Sequence, residues 1–157
     1  MQALWTADRG KLIRFDSLQP HYNLVHRAEF ERELAAVCKT YQIGVLPYSP
    51  LAAGFLTGKY RRNLIPQSAR AGGVKRYFTE RNWALLEHMD GLAKEKNANL
   101  AQIALAWLLA DTLIVSPIIG ANNPEQLKDS LGATEIHLSP SEKEILDKKS
   151  NWEADEE

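Results

Sequence analysis

The sequence predicts an α/β protein built on parallel strands. Three short β-rich runs, residues 15–19, 43–46 and 113–116, each stop at a proline (Pro20, Pro47, Pro117), and a residue with no N–H to donate suits a strand end. Between the first two runs, Phe30, Leu34, Val37, Cys38 and Tyr41 recur at three- and four-residue spacing, which puts them on one buried face of a helix over about residues 28–42. A helix of that length is a crossover, and a crossover between neighbouring strands leaves them parallel and right-handed.

The remaining elements follow in order. Residues 48–79, rich in Gly, Arg and Ser, form a connection of a length that is usually functional. Two helices are expected next, over about residues 79–97 and 99–110. The second opens with Asn99 and Gln102 at capping-box spacing and is apolar nearly all round, so it packs deeply. The third strand leads at Gly120 into a helix with Asn123 as N-cap, Pro124 in the first turn and Gly132 placed to end it. Ser139, Pro140 and Glu142 open a last helix with a second capping box, and WEADEE closes the chain as a frayed acidic tail. A strand, a polar loop and a helix thus repeat about three times. An open doubly wound sheet and part of a (β/α) barrel both satisfy this pattern.

Composition excludes several classes. The 157 residues are 45% hydrophobic and 25% charged with net charge −1, the proportions of one soluble globular domain. With 19 basic against 20 acidic residues, no excess charge exists to neutralise a nucleic-acid backbone. The longest apolar run, residues 103–110, is too short to cross a bilayer, and the first residues lack the pattern of a secretory signal. A cytoplasmic protein is therefore expected. Cys38 has no partner for a disulfide and reads as a small buried hydrophobe.

Ligands of parallel α/β proteins bind at the carboxyl ends of the strands, here residues 19–23, 48–60 and 120–126. No G-x-G-x-x-G is present, and Gly54 to Tyr60 departs from a phosphate-binding loop in both spacing and its final residue. Charge is the better signal: Lys39, Lys59, Arg61, Arg62, Arg70, Lys75 and Arg76 lie in a stretch with no Asp or Glu between Glu33 and Glu80. With nearby glycines permitting close backbone approach, this suits a ligand carrying several phosphates. A solvated loop that balances acidic helices explains the same charges. The helix start at Asn123 supplies a second anion-receptive group on the same rim. The four histidines show no metal-ligand spacing, so no metal is expected, and neither Ser49 nor Ser116 sits in a hydrolase elbow.

In these segments the words LQPHYNLVHR, GVLPYSPLAAGFLTGKY and PIIGANNPEQLKDSLGA resemble the aldo-keto reductases, particularly the subgroup of potassium-channel β subunits and related bacterial reductases. The resemblance runs from about Leu4 to Trp152. It implies a (β/α)8 barrel that binds extended NADP(H) without a Rossmann motif. On this basis Gln19 holds the nicotinamide carboxamide and Tyr48 stacks on the nicotinamide ring. Ser49, Leu51, Gly54 and Lys59 wrap the pyrophosphate, and Arg70 faces the phosphate at the adenosine end. Gly120, Asn122, Gln126 and Asp129 contact the adenosine, while Ser130 stands where the family often has Asn.

The resemblance also implies an incomplete site. A (β/α)8 barrel needs about 250 residues, and this chain resembles only the sixth, seventh and eighth strand-helix units, with Met1 inside the helix that precedes the sixth strand. Residues 1–157 then form a single incomplete domain, the C-terminal cofactor-binding half. Family members carry on earlier strands a Tyr that donates a proton to the carbonyl oxygen while NADPH delivers hydride, with a Lys and an Asp that tune it and a His. None of those motifs occurs here, and Tyr22, Tyr48, Tyr60 and Lys59 occupy cofactor-side or loop positions, so no residue is assigned as catalytic. The expectation is an oxidoreductase of aldehydes or ketones that is inactive without its N-terminal half. The alternative is a catalytically silent nucleotide-binding or regulatory module, or a truncated product stabilised by self-association. Three strands cut from a barrel expose two edges and an apolar flank, which predicts a homo-oligomer or a complementing chain.

Overall fold

A computed structural model describes residues 1–64 and 71–153. Helix α1 (Gln2–Gly10) ends at Lys11, whose left-handed backbone (φ 50°) turns the chain toward the sheet. Strand β1 (Ser17–Leu18) pairs in parallel with β2 (Gly44–Val45), Ser17 opposite Gly44 and Leu18 opposite Val45. The third predicted strand appears as parallel bridges of Ile114 with Val45 and of Ile118 with Tyr48, and a bridge between His21 and Tyr48 extends the first pair. The bonds Val45 N–H to Leu113 O, Val115 N–H to Val45 O and Ile118 N–H to Pro47 O put β2 in the centre. A Cβ at position 44 would lie 2.7 Å from Val115 Cγ2, so glycine there leaves room for the Val115 side chain across the pair.

The crossover helix forms in two pieces, a π-helical turn (Phe30–Leu34) followed by α2 (Ala35–Tyr41). Phe30 and Cys38 are buried as the spacing predicts, but Tyr41 is exposed. The wide π turn changes the angular phase of the helix, and Tyr41 rotates off the buried face to donate its hydroxyl to Met1 Sδ at 3.4 Å.

The described part of the long connection after β2 is built rather than loose. Its described residues contain 3-10 turns at Ala52–Thr57 and Lys75–Tyr77 and a short helix α3 (Ala71–Val74). Phe55, Leu56, Tyr60, Val74 and Tyr77 are buried. Phe55, Tyr77, Phe78 and Trp83 meet at ring separations of 5.0–6.1 Å, a geometry that aromatic pairs favour. Trp83 belongs to α4 (Glu80–Glu95), which Thr79 caps by accepting from Asn82 N–H. Helix α5 (Leu100–Leu109) carries the predicted capping box of Asn99 and Gln102 and buries eight of its ten residues. Helix α6 (Pro124–Leu131) starts at Asn123, and α7 (Pro140–Lys149) starts with the capping box of Ser139 and Glu142.

Gly132 departs from its expected role. Its backbone is right-handed (φ −57°) and the chain continues as a 3-10 turn to Glu135, so it does not end α6 by a left-handed cap. A Cβ there would lie 2.6 Å from Gln102 Nε2, so a larger residue would displace the side-chain tip that donates to Asp129 O at 2.8 Å.

Among the described residues, β1 and the 114–118 segment each pair only with β2, leaving both outer edges open. The strand flanks are correspondingly apolar and wet, with Ile13 95%, Phe15 60% and Val115 66% exposed. No described helix is long and apolar enough to cross a membrane.

Candidate functional site

The ends of β2 and of the 114–118 segment open into one cleft of about 710 Å³, lined by residues from Ser49 to Lys59, from Ile118 to Asn122, and by α6 and the start of α5. Eight residues singled out from the sequence line it: Ser49, Leu51, Gly54, Lys59, Gly120, Asn122, Gln126 and Asp129. Gln19 and Tyr48 lie outside that lining, both exposed at the ends of the neighbouring strands. Arg70 lies outside the described residues.

The wall after β2 is conformationally costly. Ser49, Ala52 and Ala53 are left-handed (φ 55°, 49° and 55°), followed by Gly54 at 93° and Gly58 at 75°. Each non-glycine residue in this region costs about 1–2 kcal/mol, and such strain persists only where the surroundings fix it, typically at functional sites. Asn23 supplies part of that fixing. Its fully buried side chain donates from Nδ2 to Ser49 O at 2.9 Å and accepts from Val25 N–H at 3.0 Å. Lys59 folds back over Gly54, where a Cβ would lie 3.0 Å from its Nζ.

The opposite wall presents two helix starts, α5 at Asn99 and α6 at Asn123, whose backbone N–H groups and dipoles favour an anion. Gln126 N–H donates to Asn123 Oδ1 at 2.8 Å, and Gln126 Oε1 accepts from Asn122 N–H at 3.0 Å. Gln126 therefore closes the loop through its carbonyl and keeps its amide N–H groups for another partner. Asn99 has two functions. Its Oδ1 accepts from Gln102 N–H at 2.9 Å, while its Nδ2 donates to both carboxylate oxygens of Asp129 at 2.9 and 2.8 Å. Lys59 and Asp129 are the charged residues among the described lining.

The basic stretch divides. Arg61 pairs with Asp90 at 2.9 Å, and Arg62 pairs with Glu80 and, at 3.6 Å, with Glu87. These two balance the acidic face of α4, so the solvated-loop reading holds for them, whereas Lys59 lines the cleft.

Beside Tyr48 the strand ends assemble a group that residue spacing concealed. The ring of His21 stacks on Tyr48 at 5.0 Å and on His26 at 3.9 Å. Donor atoms of His21, His26 and Glu29 fall within 4.8 Å of one another. His26 Nε2 is bonded to Glu29 at 3.0 Å, and His21 Nε2 faces Asn23 Nδ2 at 3.4 Å and the Tyr77 hydroxyl at 3.5 Å. Burial, the neighbouring His26 and the Arg76 guanidinium lower the His21 pKa to about 4, so its ring is neutral at pH 7. The group is a packed, hydrogen-bonded stack. His21 and His26 meet because Asn23 and His26 exchange backbone hydrogen bonds across a tight turn, a contact that helical or strand periodicity does not reveal. Tyr22 is structural. Burial and the Glu31 carboxylate push its pKa far up, and it donates to Glu31 at 2.7 Å.

Strand-end cleft, strained loop, lysine and paired helix starts define a parallel α/β protein with an anion-receptive cleft at its strand ends. The sequence model of the aldo/keto reductase family matches residues 1–151, and the chain belongs to that family. It is 36% identical over 135 residues to L-glyceraldehyde 3-phosphate reductase of Escherichia coli (strain K12), covering 81% of this chain and 38% of that protein. It is 33% identical over 135 residues to NADH-specific methylglyoxal reductase of the same strain, covering 83% and 40%. It is 35% identical over 156 residues to a probable voltage-gated potassium channel subunit beta of Oryza sativa subsp. japonica, covering 94% and 46%. The chain thus spans less than half the length of these curated relatives.

Proposed function

We propose that this chain is the C-terminal, cofactor-binding half of an NADP(H)-dependent aldo/keto oxidoreductase, its strands serving as the sixth to eighth of a (β/α)8 barrel. The observation that carries the reading is the cleft in which eight separately named residues, from the segments after β2 and after residues 114–118, converge. The residues fit the group. Gly54 and Gly58 permit close backbone approach, two helix starts face in, and Lys59 supplies positive charge. Ser49, Leu51, Gly54 and Lys59 would hold the pyrophosphate, with Gly120, Asn122, Gln126 and Asp129 toward the adenosine and Arg70 at its phosphate. Gln19 and Tyr48 would position the nicotinamide. When bound, the cofactor supplies the hydride for carbonyl reduction.

The chain's own part is binding and orientation. Asn23 fixes Ser49, Asn99 fixes Asp129, and His21 backs the Tyr48 ring. The proton donor belongs to the complementary half, which would pair with the open edges of β1 and residues 114–118 and cover Ile13, Phe15 and Val115. Substrates are small aldehydes or ketones, the class acted on by the two bacterial relatives. Preference for the 2′-phosphorylated cofactor rests on Arg70, and the NADH-specific relative makes it worth measuring. The same exposed edges favour, as a second reading, a silent cofactor-binding module held together by self-association. Carbonyl reduction with NADPH, assayed with the chain alone and with a fragment supplying the first five strand-helix units, separates the two. Turnover only in the mixture supports the leading reading, and robust turnover by the chain alone overturns it.

A further inference from the structure

Tyr77 lies outside the lining of the cofactor cleft, yet its side chain ends against the imidazole that backs Tyr48. It closes the 3-10 turn Lys75–Tyr77 in the connection after β2. Its ring is buried and lies 6.0 Å from that of Phe55. Its carbonyl accepts from Asn82 Nδ2 at 2.9 Å and from Thr79 N–H at 3.0 Å. Core packing and the start of α4 therefore fix both the ring and the backbone, and place the hydroxyl.

The direction of each hydrogen bond follows from its neighbours. Arg76 Nη2 donates to the Tyr77 hydroxyl at 2.8 Å, and a guanidinium can only donate, so the Tyr77 proton is left for another acceptor. His21 Nε2 lies 3.5 Å from that hydroxyl. Asn23 Nδ2 faces the same nitrogen at 3.4 Å. The orientation of this amide is set, because Oδ1 accepts from Val25 N–H at 3.0 Å and Nδ2 donates to Ser49 O at 2.9 Å. Both groups that face His21 Nε2 thus present hydrogens, which makes that nitrogen the acceptor and puts the ring proton on Nδ1. Burial, helped by His26 and Arg76, keeps the same imidazole neutral.

An imidazole held in this way cannot turn over without offering a carbon to both donors. It is clamped between His26 at 3.9 Å and Tyr48 at 5.0 Å, with ring planes 23° and 17° apart. Tyr48 keeps 45% of its surface exposed, so the face turned away from His21 is open to a flat ring, and offset stacking there depends on the plane of Tyr48.

We infer that Tyr77 is a positioning residue: its hydroxyl, oriented by Arg76, holds His21 in the Nδ1–H tautomer and in one ring orientation, and so sets the plane of Tyr48 on which the nicotinamide would stack. The inference rests on the proposed cofactor-binding reading and extends it to a residue outside the cleft.

The test uses the full chain with Tyr77→Phe, which removes one oxygen and keeps the buried ring, with His21→Ala, and with the two combined. Calorimetric titrations with NADPH and with adenosine 2′,5′-bisphosphate, which lacks the nicotinamide, separate the two ends of the cofactor. Long-range proton–nitrogen NMR reads the His21 tautomer. The wild-type spectrum should show Nε2 without a proton. Tyr77→Phe should weaken NADPH binding about two- to fivefold, the range of one neutral hydrogen bond, and leave the bisphosphate affinity at its wild-type value. Added to His21→Ala it should cause no further loss, because the hydroxyl acts through the imidazole. His21→Phe, a flat ring with no tautomer, should recover most of the affinity lost in His21→Ala. Equal weakening of both ligands by Tyr77→Phe, additive losses in the double variant, or a His21 protonated at Nε2 would overturn the inference. NADPH binding that Tyr77→Phe leaves intact rejects the positioning role and keeps the cofactor reading. A folded wild-type chain that binds neither ligand rejects the cofactor reading, and the positioning role falls with it.

Discussion

Replacing Asn99 by serine and by alanine separates the two functions that this side chain performs in the cleft. Serine keeps a hydroxyl oxygen that can accept from Gln102 N–H, as Asn99 Oδ1 does at 2.9 Å, but it loses the two donations to Asp129 at 2.9 and 2.8 Å. That contact is exposed, so its loss costs about 0.5–1 kcal/mol rather than the full value of a buried charged bond. Alanine also loses the cap, a further cost of about 1 kcal/mol. With a urea slope of about 2 kcal/mol per M, the unfolding midpoint should fall by about 0.25–0.5 M for Asn99→Ser and by about 0.75–1 M for Asn99→Ala. Cofactor affinity should behave differently. Both variants release Asp129 equally, so both should weaken NADPH binding by a similar factor, about two- to fivefold for an exposed contact of this size. Equal stabilities for the two variants would refute the cap argument. Wild-type NADPH affinity in Asn99→Ser would refute the claim that Asn99 positions Asp129.

Other perturbations follow from the same geometry. Gly58→Ala places a Cβ at φ 75° and within 2.9 Å of Leu100 Cδ2 and Arg61 Nη2, and should destabilise by about 2–3 kcal/mol from backbone strain and overpacking, read by urea unfolding. Asn23→Asp replaces the buried donor to Ser49 O with an acceptor and should cost at least about 2 kcal/mol while weakening NADPH binding. Because the His21 pKa is lowered to about 4, the unfolded chain binds the extra proton first. Stability is then full above about pH 6.5 and falls toward pH 4, a slope that His21→Phe should flatten in midpoints measured at pH 7, 5.5 and 4.5. The open sheet edges should give concentration-dependent self-association in sedimentation, reduced by Ile13→Lys with Phe15→Lys; a strictly monomeric chain at all concentrations counts against the exposed-edge argument.

The parts of this fold written in local chemistry were legible. Asn99 with Gln102, Ser139 with Glu142, and Asn123 before Pro124 fix their helix starts through bonds between neighbours in sequence, so residue order alone locates them. The strands were placed by their prolines, although their full pairing depends on partners distant in sequence. Gly132 shows where reading stopped. Local rules assign glycine a turning role, whereas its small size answers to Gln102, thirty residues away. The cleft followed the same division. Gly54, Lys59 and Gln126 were identified from the resemblance, while Asn23 and Asn99 were not, because each acts through a contact with a residue on a different element. The charge pattern from Lys39 to Arg76 did not distinguish a ligand loop from a balanced one. Pairing of Arg61 and Arg62 with α4 distinguishes them, and no spacing rule encodes it. The histidine stack was hidden for a similar reason, since a tight turn rather than a helix brings His26 back onto His21.

The most direct test of the central claim is a titration of the purified chain with NADPH, followed by nicotinamide fluorescence, with Lys59→Ala and Arg70→Ala alongside. The account predicts saturable binding, weakened in both variants while their unfolding midpoints stay at the wild-type value. A folded chain that shows no saturable NADPH binding, or equal binding in all three proteins, would contradict it.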